Sequence, residues 1–196
     1  MRDARLAAGV LAASLAYAIV RYNAFGSVSW EQLPLFVGNK AIAVTSLVLL
    51  GMSRVVADRE RRKDLGLAGL AFALVHVLLS FVVLDRAYLP AQFTDAGKLH
   101  WGAEVSMLVG AIATALLLWL AYATLLRPID RQAHATSLLP GIARWMLVLV
   151  AVHNLALGYA GWIDTERWPG TLPPITLLSF LLAAAFCVMP RRAGPR

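Results

Sequence analysis

The sequence predicts an all-α protein, a polytopic bundle of six membrane-crossing helices that forms one domain over residues 1–196, with both termini cytoplasmic. Three observations predict it. Hydrophobic residues make up 60% of the chain and charged residues only 15%, a balance outside that of an ordinary soluble domain. Six apolar runs, near 5–22, 38–57, 66–84, 103–126, 140–161 and 172–189, are each long enough to cross a hydrocarbon core; such a core is about 30 Å thick and a helix rises about 1.5 Å per residue. The basic residues are also unevenly shared. With the amino terminus inside, 13 of the 18 Lys and Arg fall on inner segments, and the outer segments hold only Arg21, Lys40, Arg86, Lys98 and Arg167. That bias is the positive-inside pattern of a multi-pass protein of the plasma (inner) membrane.

The first run follows Arg2 and Arg5 and ends near Ala16-Tyr17-Ala18, which has the outline of a secretory signal; Arg21 and Tyr22 behind it read as an interfacial anchor, so the run is taken as a retained helix. The second run opens after Pro34 and Gly38. The third follows an inner loop dense in charge, Arg59-Glu60-Arg61-Arg62-Lys63. The fourth follows the longest outer loop, residues 85–102, which contains Arg86, Tyr88, Lys98, His100 and Trp101. The fifth begins at Pro140, after an inner loop with His134, and the sixth after Pro173-Pro174. Each of these prolines falls at a predicted boundary, where a missing amide donor is tolerated.

The net charge of +7 is accounted for by this topology signal, and no nucleic-acid partner is expected. A lone cysteine, Cys187, excludes a disulfide framework, a CxxC zinc site and covalent CxxCH heme attachment.

Two histidines lie inside apolar runs, His76 in the third and His153 in the fifth. An ionisable residue at such a depth is costly and marks a functional site by default. Each stands 8 residues before the outer end of its predicted helix, Leu84 and Gly161 respectively, which puts both about 12 Å below the outer boundary. A matched level is what bis-imidazole ligation of a single iron requires, and one heme b is the ligand this pair suits. The face bearing His76 reads Gly69, Ala73, His76, Ser80, small enough to leave room for a flat porphyrin or to let helices pack closely. A histidine hydrogen-bonded to a neighbouring helix, or a metal or proton relay, are the other readings. His100 and His134 read as solvated loop residues. A heme at that depth leaves roughly 18 Å of core on the inner side, so a cytoplasmic electron needs a second stop, for which the basic cluster at 59–63 is a candidate phosphate or pyrophosphate binder.

Several short motifs in order resemble the transmembrane domain of the STEAP (six-transmembrane epithelial antigen of the prostate) metalloreductases, within the wider ferric reductase transmembrane group. The resemblance runs from about Val37 to Trp162. It comprises Asn39-Lys40 opening the second helix, Arg62-Lys63-Asp64-Leu65-Gly66-Leu67 like the family's RKxLGL, His76 in an AxxH setting followed by Ser80, Trp101-Gly102-Ala103-Glu104 like WxxE with Gly110 beyond, and His153 before Gly158 and Trp162. The resemblance implies a transmembrane electron path. His76 and His153 would be the axial ligands of one b heme near the outer face. FAD or FMN, bound or diffusible, would sit at the inner side, with Arg62 and Lys63 as its contacts and Leu117 between flavin and heme. Chelated Fe(III) or Cu(II) would be reduced outside, a ferric or cupric reductase activity.

Lys40, Arg86, Lys98 and Trp101 are candidate contacts for the chelate or for heme propionates; the outer segments as a whole carry five basic and six acidic residues, so any attraction of an anionic chelate must be local. Only Met1 to Ala4 precede the first predicted helix and no GxGxxG occurs, so reduced flavin from solution or a separate flavin reductase is the expected donor. Small residues on helices one and four (Ala7, Ala8, Gly9, Ala12; Gly110, Ala111, Ala113) would permit the homo-oligomer that the family forms. The competing readings are a heme-carrying subunit serving a separate periplasmic enzyme or quinone, and a non-redox membrane protein whose histidines are packed polar residues.

Overall fold

A computed structural model describes residues 2–125 and 132–190, with side chains for 3–125 and 140–190. Arg127, Pro128, Arg131, Arg191, Arg192 and Arg196, and the side chain of His134, lie outside the described residues. Among the described residues the protein is helical, with no β-strand, and the six α-helices there are α1 (Arg2–Ile19), α2 (Gly38–Val55), α3 (Arg59–Val83), α4 (Trp101–Leu125), α5 (Gln132–Ile163) and α6 (Ile175–Val188). Six segments, one around each helix, are long and apolar enough to cross a membrane, which makes this a multi-pass membrane protein.

The helix ends depart from the predicted ones for identifiable reasons. The basic cluster 59–63 is not a loop: α3 begins at Arg59, where Asp58 accepts the Arg61 amide at 2.7 Å as an N-cap, so the charged residues occupy the first turn. Pro140 is not a boundary either, because α5 begins at Gln132 and runs through it, which places the backbone of His134 in a helix and not in a loop. One missing amide donor does not end a helix whose flanks favour continuing. At its other end α1 widens into a π-helical turn, Val20–Ala24, and a similar turn, Leu33–Val37, leads into α2.

α2 is central, packing on α3, α1 and α6, while α5 packs on α4 and α6. α6 therefore joins two halves, and α3 meets α4 only sparsely. Small residues set the close approaches. A Cβ on Gly69 would stand 2.7 Å from Leu50 Cγ, one on Gly102 would stand 2.8 Å from the Ala156 carbonyl oxygen, and Gly51 lies directly under the Phe186 ring. Gly69 thus serves the α2–α3 contact, and Ser46 donates to its carbonyl at 2.8 Å. The largest buried cluster, Leu47, Leu117, Met146, Leu147, Ala151, Ala183 and Phe186, fills the space among α2, α4, α5 and α6.

One end of the bundle gathers the chain's first helix start, the α2–α3 turn and the end of α6. Arg61 pairs with Asp3 at 3.1 Å, and Arg54 donates to the carbonyls of Phe186 and, at 2.8 Å, Met189. We call this the terminal end. At the opposite, loop end, Tyr17 donates to the Pro173 carbonyl at 2.6 Å, Arg21 donates to that of Leu172, and the Trp101 ring lies 6.1 Å from Tyr159.

Candidate functional site

His76 projects from α3 toward the start of α2. Its Nδ1 lies 2.7 Å from Asn39 Oδ1, while Asn39 Nδ2 donates to Ser80 Oγ at 3.1 Å and Ser80 Oγ donates to the His76 carbonyl at 2.7 Å. Because the amide nitrogen of Asn39 is the donor to Ser80, its oxygen must be the acceptor from His76, and the proton of His76 is on Nδ1. Asn39 is buried, 6% exposed, so water does not compete for that bond.

His153 projects from α5 toward α4. Its Nδ1 lies 2.8 Å from the Ser106 carbonyl oxygen and 2.7 Å from Ser106 Oγ. A backbone carbonyl only accepts, so here too the proton is on Nδ1. Gly110, one turn further along α4, makes room for the ring: a Cβ there would stand 3.0 Å from His153 Nδ1.

The two imidazoles therefore share a tautomer. Nδ1–H is tied to a fixed oxygen, and the Nε2 lone pair of each has no hydrogen-bond partner among the described residues. A ring held this way is set up to ligate a metal through Nε2, with the Nδ1 bond orienting the ring and raising its basicity. The two rings stand on different helices, His76 on α3 and His153 on α5. They come from the two halves of the bundle, on either side of the seam where α3 and α4 touch least. Counted from the observed helix ends, Val83 and Ile163, the setbacks are 7 and 10 residues, so the equal counts of the sequence reading become unequal.

Among the described residues no group of three or more His, Cys, Asp or Glu is placed to hold a metal. Two imidazoles with unbonded Nε2 atoms are the donors that a b heme would take from this chain, the tetrapyrrole supplying the others.

The remaining candidates are placed less uniformly. Leu117 is buried, two helical turns from Gly110 toward the terminal end, and packs with Met146 and Leu147 between the histidines and that end. Arg62 is engaged in structure: its guanidinium donates to the carbonyls of Val56 at 2.9 Å and Ala57 at 3.0 Å, closing the end of α2. Lys63 is exposed beside it. Lys40 holds its ammonium 4.4 Å from the Phe36 ring and 5.2 Å from the Tyr22 ring. Arg86 and Lys98 are exposed on the 85–100 segment and are not joined to Lys40 by any hydrogen bond or ion pair; Trp101 opens α4, with His100 accepting the Gly102 amide at 3.2 Å beside it. Of the small residues assigned to an oligomer contact, Gly110 and Ala113 are used within the chain, between α4 and α5, whereas Ala8, Gly9 and Ala12 remain exposed on α1.

Sequence reasoning missed Asn39 and Ser106 as the groups that orient the rings. The signal available was their polarity inside apolar helices, where a polar side chain must find a partner.

Fold and site together define a six-helix membrane protein with an oriented pair of intramembrane histidines. No protein-family model and no curated protein matches the chain.

Proposed function

We propose that this protein is a transmembrane electron carrier of the STEAP metalloreductase type, holding one heme b between His76 and His153. Electrons enter from reduced flavin at the terminal end, taken as cytoplasmic from the positive-inside bias, and leave at the loop end to chelated Fe(III) or Cu(II). The observation that carries the reading is the matched tautomer: both histidines spend Nδ1–H on a fixed oxygen and keep Nε2 unbonded.

Bound heme would supply a one-electron Fe(III)/Fe(II) couple. The chain's own contribution is positional. Asn39 and the Ser106 backbone fix the two ring planes, Gly110 gives the His153 ring its space, and the apolar cluster around Leu117 keeps water out of the path toward the terminal end. Arg62 supports the α2–α3 turn, which leaves Lys63 as the exposed cation of that pair for a flavin phosphate. Reduction of the chelate consumes one electron per metal ion, and a two-electron reduced flavin therefore serves two turnovers.

The exposed Trp101, packed toward Tyr159 at the loop end, favours a second reading in which the acceptor is a quinone or a periplasmic protein in place of a metal chelate. The deciding experiment is an optical spectrum of purified protein, oxidised, then treated with reduced flavin, then with ferric citrate. The expected result is a Soret band lost in His76→Ala and His153→Ala, reduced by flavin and reoxidised by ferric citrate. A colourless protein, or a full Soret band in His76→Ala, overturns the heme assignment; reoxidation by a quinone analogue alone selects the carrier reading.

A further inference from the structure

The π-helical turn that ends α1 puts Arg21 in an unusual position for a cation. It is 6% exposed, yet among the described residues it makes no ion pair; the pairs found there are Arg61 with Asp3 and Arg167 with Asp164. One terminal nitrogen, Nη1, donates to the Leu172 carbonyl, and Nε is buried with no partner. The Tyr17 hydroxyl supplies no counter-charge, being engaged with the Pro173 carbonyl at 2.6 Å.

A second cation is close by. Arg21 Cζ lies 5.4 Å and Lys40 Nζ 5.2 Å from the centroid of the same Tyr22 ring, and Lys40 likewise has no acidic partner among the described residues. Ring faces offset part of the cost of removing two cations from water, but they do not neutralise either. The geometry of what is left over is informative. With Nη1 committed, the remaining edge of the guanidinium is Nε with Nη2, the pair of parallel donors that grips an oxyanion side-on through two hydrogen bonds.

We propose that Arg21, Tyr22 and Lys40 form a binding site for an oxyanion, a carboxylate or phosphate group, at the loop end of the bundle. Arg21 offers the Nε–Nη2 edge, Lys40 adds a second positive charge, and Tyr22 holds both in place. The site rests on Arg21 and not on the histidines; it shares Lys40 with the contacts expected for the chelate or heme propionates, so it is tested in protein without heme. The oxyanion is either a soluble one or the phosphate of an anionic lipid, since a helix end that faces the other side of the bilayer interface meets both.

The test uses the full-length protein in nanodiscs and reads its thermal midpoint. In one arm, phosphatidylcholine discs are titrated with inorganic phosphate or citrate against chloride at matched ionic strength. In the other, phosphatidylglycerol is added to the lipid in steps. A saturable rise in midpoint in the first arm assigns a soluble oxyanion, and in the second a lipid phosphate. In either case Lys40→Gln raises the half-saturating concentration by about tenfold, as loss of one charge-assisted contact requires. Arg21→Lys, which keeps the charge and removes the fork, weakens binding at least as much. Should Arg21→Lys fail to fold because the Leu172 contact is lost, Lys40→Gln decides alone. The proposal is overturned if neither arm exceeds its control, or if Lys40→Gln shows the same saturable rise.

Discussion

If His76 and His153 hold the heme proposed above, replacing Asn39 by Ala should weaken its binding far more than replacing Ser106 by Ala, although both side chains touch a histidine Nδ1. In Asn39→Ala the 2.7 Å acceptor of His76 disappears, and Ser80 Oγ at 3.4 Å, able to accept through a lone pair but at the far limit of a hydrogen bond, is a poor replacement. Leaving a buried donor unsatisfied costs about 1–3 kcal/mol, and loss of such an orienting group lowers metal affinity by about 10–100-fold. The two figures agree, since tenfold is about 1.4 kcal/mol. In Ser106→Ala, by contrast, the carbonyl of residue 106 stays at 2.8 Å from His153 Nδ1, and only the hydroxyl contact at 2.7 Å is lost. The expected loss there is under about tenfold. Heme titration of the purified apo-proteins, followed at the Soret band, measures both. Equal losses in the two variants, or an Asn39→Ala protein that binds as tightly as the parent, would refute the argument that His76 is oriented by a side chain and His153 by the backbone.

Three further outcomes follow from the same geometry. Asn39→Asp places a carboxylate against His76 Nδ1–H, strengthens imidazole as a donor to oxidised iron, and should move the heme potential to more negative values by on the order of 60 mV, a tenfold shift in the one-electron equilibrium, in an optical redox titration. Gly110→Ala sets a methyl 3.0 Å from His153 Nδ1, so it should lower the Soret absorbance per protein and destabilise the fold by about 1–3 kcal/mol, whereas Gly69→Ala, which meets Leu50 and not a histidine, should destabilise similarly with an unchanged spectrum. Arg62→Gln removes charged hydrogen bonds to two carbonyls at the end of α2 and should lower the thermal midpoint by the equivalent of about 1–3 kcal/mol, with flavin-driven reduction unaffected in the protein that remains folded.

The apolar runs made all six helices legible, because hydropathy reports the length of chain that a bilayer must accept. It does not report where a helix stops. The first turn of α3 and the first two turns of α5 are polar, and their helicity comes from the Asp58 cap in one case and from continuation through Pro140 in the other. His76 and His153 were visible as ionisable residues in apolar surroundings, and the structure ties each to a neighbouring helix through Nδ1. Their tautomers were not visible, since the contacts from Asn39 to His76 and from Ser106 to His153 span 37 and 47 residues of chain and leave no local pattern. Lys40, Arg86 and Lys98 were grouped from a shared side of the membrane; what that grouping did not reveal is that Lys40 lies against Tyr22 and Phe36, beside an arginine that charge counting treated only as an anchor.

Arg54 and Arg62 have a part to play that outlasts membrane insertion. A carbonyl-rich helix terminus carries partial negative charge, and each of these guanidinium groups sits on one, Arg62 on α2 and Arg54 on α6. Cations that an inserting chain would use to choose its orientation become, in the finished protein, clasps that tie the α2–α3 corner and the last helix together. Removing either one would strip away an orientation cue and loosen a joint at once, so a variant inserted backwards and a variant inserted correctly but poorly closed have to be told apart by where its loops are labelled, and not by yield.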